Sequence, residues 1–306
     1  MNPSASHPAH FSIIVPTYGR PGQLVTCLQS LTHLDYPRNR FEVIVVDDGS
    51  QRPPESVVSS FRDQLDVTLL IQPHVGPAAA RNTGAGRAKG QFLAFTDDDC
   101  APAPDWLHTL AARFTQAPDG AIGGRTFNAL PENPYSTASQ LLIDYLYAYY
   151  NTDSNRASFF TSNNLALPVD RFRAIGGFDS TFPRAAGEDR ELCDRWLHHG
   201  HRLIYAPEAV VYHAHALSLR TFWRQHVNYG RGAFYFRRVR AKRGRNGLRL
   251  EPFSFYVDLL RYPFPQTQQH RQALWLAALL GTAQVANAAG FFWEQRRMKD
   301  SQHDHK

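Results

Sequence analysis

Gly90 to Cys100, GQFLAFTDDDC, is an apolar run that ends abruptly in three consecutive aspartates. Phe92, Leu93, Ala94 and Phe95 read as a short buried strand. That places Asp97, Asp98 and Asp99 at its carboxyl end, where open α/β sheets hold their ligands. Three adjacent carboxylates repel one another, so the arrangement requires a cation or a network of donors to offset it. A hard divalent ion with oxygen ligands, Mg or Mn, is the simplest offset. The competing reading of an isolated DDD is a polar turn.

The sequence before this stretch repeats one pattern. Phe11 to Val15, FSIIV, is a β-rich apolar run closed by Pro16-Thr17-Tyr18-Gly19-Arg20-Pro21, and Leu24, Leu28 and Leu31 then recur at helical spacing. Phe41 to Val46 is a second strand signal, ending in Asp47-Asp48-Gly49-Ser50, with Pro53 and Pro54 fitting the first turn of a helix. Val67 to Ile71 is a third, and Gly76 and Pro77 open a small-residue helix that returns to Phe92. Strands alternating with helix-length segments predict a parallel, doubly wound α/β sheet with right-handed crossovers. PTYGR, DDGS and TDDD then converge on one edge. No GxGxxG follows the first strand, which removes the main support for a dinucleotide-binding reading.

The chain has 306 residues, enough for one large α/β domain or two smaller ones. Cys27, Cys100 and Cys193 are an odd number without a CxxC pair, so neither a zinc site nor a disulfide framework is indicated. MNPSASHPAH lacks the charged start and apolar core of a signal peptide and reads as a short disordered arm, with the body facing the cytosol. The net charge of +6 is local in origin. No acidic residue falls between Glu208 and Glu251, where Arg220, Arg224, Arg231, Arg237, Arg238, Arg240, Lys242, Arg243, Arg245 and Arg249 accumulate. Nucleic acid, anionic lipid or a phosphorylated substrate could meet such a block.

Beyond the aspartates, Pro104 to Leu107 opens a helix and Gly120 to Phe127 reads as a strand. SQLLIDYLYAYYN is an amphipathic aromatic segment best read as packing. Gly187-Glu188-Asp189 begins the helix EDRELCDRWLHHG, where acidic residues also suit the helix dipole. His213 and His215 alternate along VVYHAHA and so share a strand face, which suits a metal or diphosphate contact or a structural role. Ser218 to Arg243 reads as a long basic helix. Ala273 to Trp293 carries no charge and is just long enough for a bilayer core, although Gln284, Asn287 and its small residues leave an interfacial or re-entrant helix in close competition with a span. Together with the basic aromatic block, this favours an anionic membrane surface over nucleic acid.

SIIVPTYGR, VIVVDDGS, GPAAARNTG and FLAFTDDDCAPAPDWL, followed by TSNNLALP, IGGFD, GEDRELCDRW and YHAHALSLRTFWRQHVNYGRG, resemble in order and spacing the family 2 glycosyltransferases. The likeness runs from about Phe11 to Gly232. It implies the GT-A fold, a mostly parallel Rossmann-like sheet flanked by helices, and inverting transfer from a nucleotide-diphosphate sugar to a hydroxyl of a glycan or lipid-linked acceptor. The implied domains are a disordered arm at 1–10 and a transferase domain at 11–245. The latter divides into a nucleotide-binding half, 11–100, and an acceptor half, 101–245. A helical membrane-associating region at 246–299 and a polar tail at 300–306 follow.

By the same resemblance, Pro16 and Tyr18 line the base pocket and Asp48 accepts from a base NH, unless it is a turn-forming residue. Arg81 reaches the nucleotide, unless it is a surface helix residue, and Asn82 holds the adjoining loop. Asp97 lies near the ribose with Asp98 beside it as the spare member. Asp99 is the direct ligand of a Mg or Mn ion that Asp97 and a histidine complete, His213 in preference to His215. Asn163 and Asn164 fall near the donor sugar or acceptor, and Arg224 and Arg231 where the site closes over the diphosphate. Asp189 is the general base and Glu188 orients it. The QxxRW signature of processive members is absent. The rival readings are a sugar-phosphate nucleotidyltransferase, which would want a Gly-rich phosphate loop after the first strand, and a non-catalytic membrane or nucleic-acid adaptor. The implied location is the cytoplasmic face of a membrane, peripheral or through one carboxyl-terminal span.

Overall fold

The computed structural model describes residues 9–182, 186–244 and 251–303. In chain order its elements are β1 (Phe11–Thr17), α1 (Pro21–Thr32), β2 (Phe41–Asp47), α2 (Glu55–Ser59), β3 (Val67–Ile71), α3 (Pro77–Arg87), β4 (Phe92–Phe95), β5 (Cys100–Pro102), α4 (Trp106–Gln116), β6 (Ala121–Asn128), α5 (Pro134–Tyr150), β7 (Leu165–Pro168), α6 (Val169–Ala174), α7 (Glu188–His198), β8 (Leu203–His213), α8 (Leu219–Lys242), α9 (Phe253–Arg261) and α10 (His270–His303). Most of the expected arm, Arg245, Arg249 and the end of the polar tail lie outside the described residues.

The chain forms two compact units. The first comprises Met1–Phe127, Asp153–Asp179 and Leu192–His213, and the second Asn128–Thr152, Ser180–Glu191 and Ala214–Lys306. In the first, an eight-stranded sheet runs in the order β3-β2-β1-β4-β7-β6-β8-β5. β1 is buried along its whole length and pairs in parallel with β2 and β4, in keeping with its largely apolar sequence. Phe11, Ile13, Leu28, Leu31, Trp106 and Leu110 belong to one core packed beneath the sheet.

The expectation of a mostly parallel sheet holds for β1 to β4 and needs correction beyond them. β7 runs antiparallel to β4 and to β6, and β5 antiparallel to β8, so the sheet is mixed. The short strand after the aspartates pairs with β8, which returns antiparallel beside it. Pro53 and Pro54 precede α2 rather than forming its first turn, because the helix begins at Glu55 with Pro54 as its cap.

The second unit is helical. Ser218 caps α8 in a reciprocal box with Thr221, whose hydroxyl accepts from the Ser218 NH at 2.8 Å. α8 and α10 approach so closely that a Cβ on Gly230 would stand 1.8 Å from the Asn287 carbonyl, and one on Gly290 2.0 Å from the Val227 carbonyl. Only glycine permits that contact at either position. Leu276, Leu279 and Ala283 of α10 pack with Ala138, Leu141 and Phe222, while Leu280 joins Leu142, Tyr145, Phe255 and Leu259. α10 is long and apolar enough to cross a membrane by length and composition, yet one of its faces is committed to this core.

Candidate active site

The parallel pairing of β1, β2 and β4 delivers Thr17, Asp47 and the aspartate run to one edge of the sheet. The three aspartates are held by donors from separate elements. Arg81, buried on α3, donates to Asp97 Oδ1 at 2.7 Å, and its guanidinium lies 5.5 Å from the Phe178 ring centroid. Thr17 donates to Asp98 Oδ2 at 2.7 Å. Arg20 spans the other two carboxylates, with Nη2 2.6 Å from Asp98 Oδ1 and Nη1 2.9 Å from Asp99 Oδ2. Asp98 is fully buried, and that burial outweighs Arg20 and Thr17 and raises its pKa to about 7. Asp98 therefore organises the edge from inside, while Asp97 keeps a quarter of its side chain in solvent.

Asp99 meets a histidine on its other side. His213 Nε2 stands 3.2 Å from Asp99 Oδ1 because Cys100 and His213 are partners in the β5–β8 ladder. Burial pushes the His213 pKa down, but the hydrogen bond to Asp99 and the charges of Asp99 and Asp97 outweigh it and leave the pKa raised. Asp99 and His213, one carboxylate and one imidazole side by side, are hard-to-borderline donors of the kind that fits Mn or Mg. His215, two residues beyond the strand, belongs to the second unit. Cys100 is buried, and burial raises its thiol pKa well above the ordinary value, as expected of a packing residue.

On the β1–β2 side, Pro16 is buried in β1 opposite Val46, whereas Tyr18 is exposed and stacks on His74 with ring centroids 4.2 Å apart. Asp48 is committed to the neighbouring loop that follows β3. Its carboxylate accepts from Gln72 Nε2 at 2.7 Å, the Val75 NH at 3.1 Å and the Gly76 NH at 2.9 Å, and it pairs with His74 Nδ1 at 2.8 Å. Those four contacts occupy the capacity of a carboxylate. Asn82 grips the IGGFD segment through two 2.8 Å hydrogen bonds, donating to the Phe178 carbonyl and accepting its NH. Gly177 permits this clamp, since its φ is +68° and a Cβ there would meet Asn82 Oδ1 at 2.5 Å.

The asparagine pair divides. Asn164 is fully buried. It donates to the carbonyls of Arg125 at 3.0 Å and Ala209 at 2.9 Å and accepts from Trp106 Nε1 at 2.9 Å, which uses its whole amide in the interior of the unit. Asn163 accepts from the Thr161 hydroxyl at 2.7 Å. Ligand contact by Asn164 is thus at odds with its packing.

Glu188 and Asp189 open α7 within the second unit. Glu188 is buried, Asp189 is half-buried, and Asp189 Oδ1 accepts from the Arg190 NH at 2.8 Å. The turn before them depends on glycine, with Gly187 at φ +90°. The Gly232 of YGRG approaches it so closely that a Cβ would lie 2.2 Å from the Ala186 carbonyl. Neighbours brace the helix start. Arg190 donates to the Tyr150 hydroxyl at 3.2 Å and lies 5.4 Å and 5.3 Å from the Tyr150 and Phe236 ring centroids, and Arg243 pairs with buried Glu191. Arg224 is exposed on α8. Arg231 is buried instead, donating to Glu294 Oε2 at 2.5 Å with the Trp293 ring centroid 4.5 Å away. Its place is in the α8–α10 packing.

Sequence reasoning passed over Arg20, Thr17 and His74. Arg20 was open to discovery by charge balance alone, because three adjacent carboxylates beside a strand-end arginine call for that pairing.

Residues 12–176, more than half the chain, match the model of glycosyl transferase family 2, and residues 145–216 match one described as the N-terminal domain of galactosyltransferase. Among curated proteins, the chain is 32% identical over 240 residues to the pre-mycofactocin glycosyltransferase of Mycobacterium tuberculosis, covering 74% of this chain and 48% of that protein. It is 30% identical over 225 residues to the validoxylamine A glucosyltransferase of Streptomyces hygroscopicus, covering 64% and 53%. The chain thus spans about half the length of these relatives. Among solved structures, a mannosyltransferase of Pyrobaculum calidifontis in complex with GDP-Man and Mn2+ aligns with a TM-score of 0.61 at 23% identity, over 96% of this chain and 81% of its own. S. aureus TarS 1-349 in complex with UDP-GlcNAc aligns with a TM-score of 0.54 at 16% identity, over 95% and 92%. These likenesses establish the GT-A fold.

Proposed function

The chain belongs to glycosyltransferase family 2, and we propose that it is an inverting, metal-dependent transferase. In this reading it moves one sugar from a nucleotide-diphosphate donor to a hydroxyl of a glycan or lipid-linked acceptor, at the cytosolic face of a membrane. The observation that supports this most is the aspartate edge at the end of β4, where Asp97 is held by Arg81 and Asp99 stands between Arg20 and His213.

Each residue then has a task. Tyr18, stacked on His74 beside Pro16, forms the wall on which the base lies. Asp48 receives a base NH when Gln72 or His74 yields its place on that carboxylate. Arg81 and Asp97 position the ribose and phosphates, and Asn82 keeps the 177–178 turn against that edge. Asp99, His213 and Asp97 would hold Mg or Mn, which supplies neutralisation of the charge developing on the departing diphosphate. In the second unit, Asp189 accepts the acceptor proton as the hydroxyl attacks the anomeric carbon, and Glu188 orients it. One base with no covalent intermediate inverts the anomeric centre. A nucleotidyltransferase fits less well, because the turn after β1 offers Arg20 to two carboxylates instead of a glycine-rich loop to phosphates.

The test is a screen of nucleotide sugars for metal-dependent thermal stabilisation. A ligand at a hundred times its dissociation constant stabilises the folded state by about 2.7 kcal/mol. The matching donor, with Mn or Mg present, raises the melting temperature, and nuclear magnetic resonance of the product shows an inverted anomeric configuration. Stabilisation that ignores metal, or a retained configuration, would contradict the reading.

A further inference from the structure

We infer that α10 is an in-plane membrane-docking helix that lays one exposed face on an anionic lipid surface and does not cross the bilayer. The inference deepens the membrane placement proposed above, but it rests on the second unit alone. Leu274, Val285 and Phe292 are each more than half exposed. Their spacings of eleven and eighteen residues are close to whole numbers of helical turns, so they share one face. Trp275 and Trp293, also more than half exposed, flank it near its two ends. Leu260 of α9 borders the same strip, its Cδ2 3.7 Å from where a Cβ on Gly281 would stand.

The opposite face excludes a span. Leu276, Leu279, Leu280, Ala283 and Ala286 are buried, and Glu294 is fully buried with Arg231 on its carboxylate. Surrounding α10 with lipid would require stripping it from α8, leaving that ion pair and the α8 backbone against hydrocarbon. Charge selects the occupant of the exposed face. Arg271 stands at one end, Arg296 and Lys299 at the other, and no exposed acidic side chain lies between Arg271 and Lys299. Two copies pairing through this face would bring like charges together in either orientation. A surface of acidic headgroups meets both ends at once, and the apolar strip enters the headgroup–acyl boundary to about 5–10 Å.

The experiment uses the full chain and vesicles of phosphatidylcholine with or without phosphatidylglycerol. Flotation with the phosphatidylglycerol vesicles is expected, weakened by salt and by omission of the acidic lipid. A Trp275→Ser/Phe292→Ser variant, altered only at exposed positions, should keep its circular dichroism and lose vesicle binding by about tenfold or more. Depth is read from nitroxides on Leu274→Cys, Val285→Cys and Phe292→Cys, which label selectively because Cys27, Cys100 and Cys193 are buried. Equal, shallow depths at all three sites support the in-plane helix. A Val285 label at the bilayer centre with shallow labels at its flanks would overturn it, as would no binding to acidic vesicles, or self-association through this face in their absence. Nucleotide-sugar stabilisation measured without vesicles is expected to be unchanged in the Trp275/Phe292 variant, so failure of the docking inference is distinguishable from failure of the transferase reading.

Discussion

Asp99 and His213, far apart in sequence, are brought to 3.2 Å by the antiparallel pairing of β5 with β8. The two side chains therefore depend on one ladder. A change that loosens the edge strands would disturb these two of the proposed ion's ligands together. Substituting either side chain leaves the backbone frame in place.

Asp99→Asn should preserve the fold and lower metal-dependent turnover by about a hundredfold or more, since a neutral amide is a poor ligand for a hard cation. A transfer assay over a range of Mn concentrations checks this. Unchanged metal-dependent turnover would remove Asp99 from the ligand set.

Arg20→Ala should be destabilising because it leaves fully buried Asp98 with Thr17 as its remaining side-chain donor among the described contacts. Arg20 is itself partly exposed, so the expected loss is about 1–3 kcal/mol, below that of a fully buried pair. Urea denaturation measures it. Arg20→Lys should recover part of the loss, because it restores the charge but not the fork that spans two carboxylates.

Gly232→Ala sets two effects of opposite sign against each other. Helix propensity alone would favour alanine by about 1 kcal/mol. The added Cβ, however, would stand 2.2 Å from the Ala186 carbonyl, and backbone must move to admit it. Overpacking of this kind costs about 1–3 kcal/mol, so net destabilisation is expected, with a larger loss in transfer because the turn bearing Asp189 shifts. A thermal melt paired with an activity assay checks both parts.

Acid sensitivity is expected to have a source away from the candidate active site. His226 is fully buried on α8 with no hydrogen-bond partner for either ring nitrogen among the described residues, and burial lowers its pKa to about 4. The folded state thus binds its proton less readily than the unfolded chain, whose histidine titrates near 6.5. This contribution to stability is complete above about pH 6.5 and is lost as the pH falls towards 4. Between pH 7 and 5 it amounts to about 2 kcal/mol. The stability of the parent relative to His226→Leu, followed by urea denaturation over that range, should fall with acidification by about that amount.

The early part of the fold was open to reading because β1, β2 and β4 are buried on both faces and so carry largely apolar runs ending in polar turns. The antiparallel pairing that follows Asp99 was not, since β5 has three residues and its partner is the distant β8. Within the site, the aspartate run and the GED turn were visible as local patterns. The interior roles of Asp98 and Asn164 were not, because a side chain's facing at a strand end depends on what packs behind it. Arg231 misleads for a related reason: its partner, Glu294, lies in a helix whose sequence leaves a bilayer span and an interfacial helix in competition and gives no sign of a buried ion pair.

The central claim is that Asp189 moves a proton, and its most direct test separates binding from chemistry in one preparation of Asp189→Asn. With folding checked by circular dichroism, donor affinity is measured by calorimetry in the presence of metal and transfer by product formation. A general base acts mainly in the transition state, so donor and metal affinity should stay near the parent value while transfer falls by about 10²–10⁴-fold. Near-normal transfer, with stability altered by about 1 kcal/mol or less as for exchange of one helix-start residue for another, would contradict the assignment.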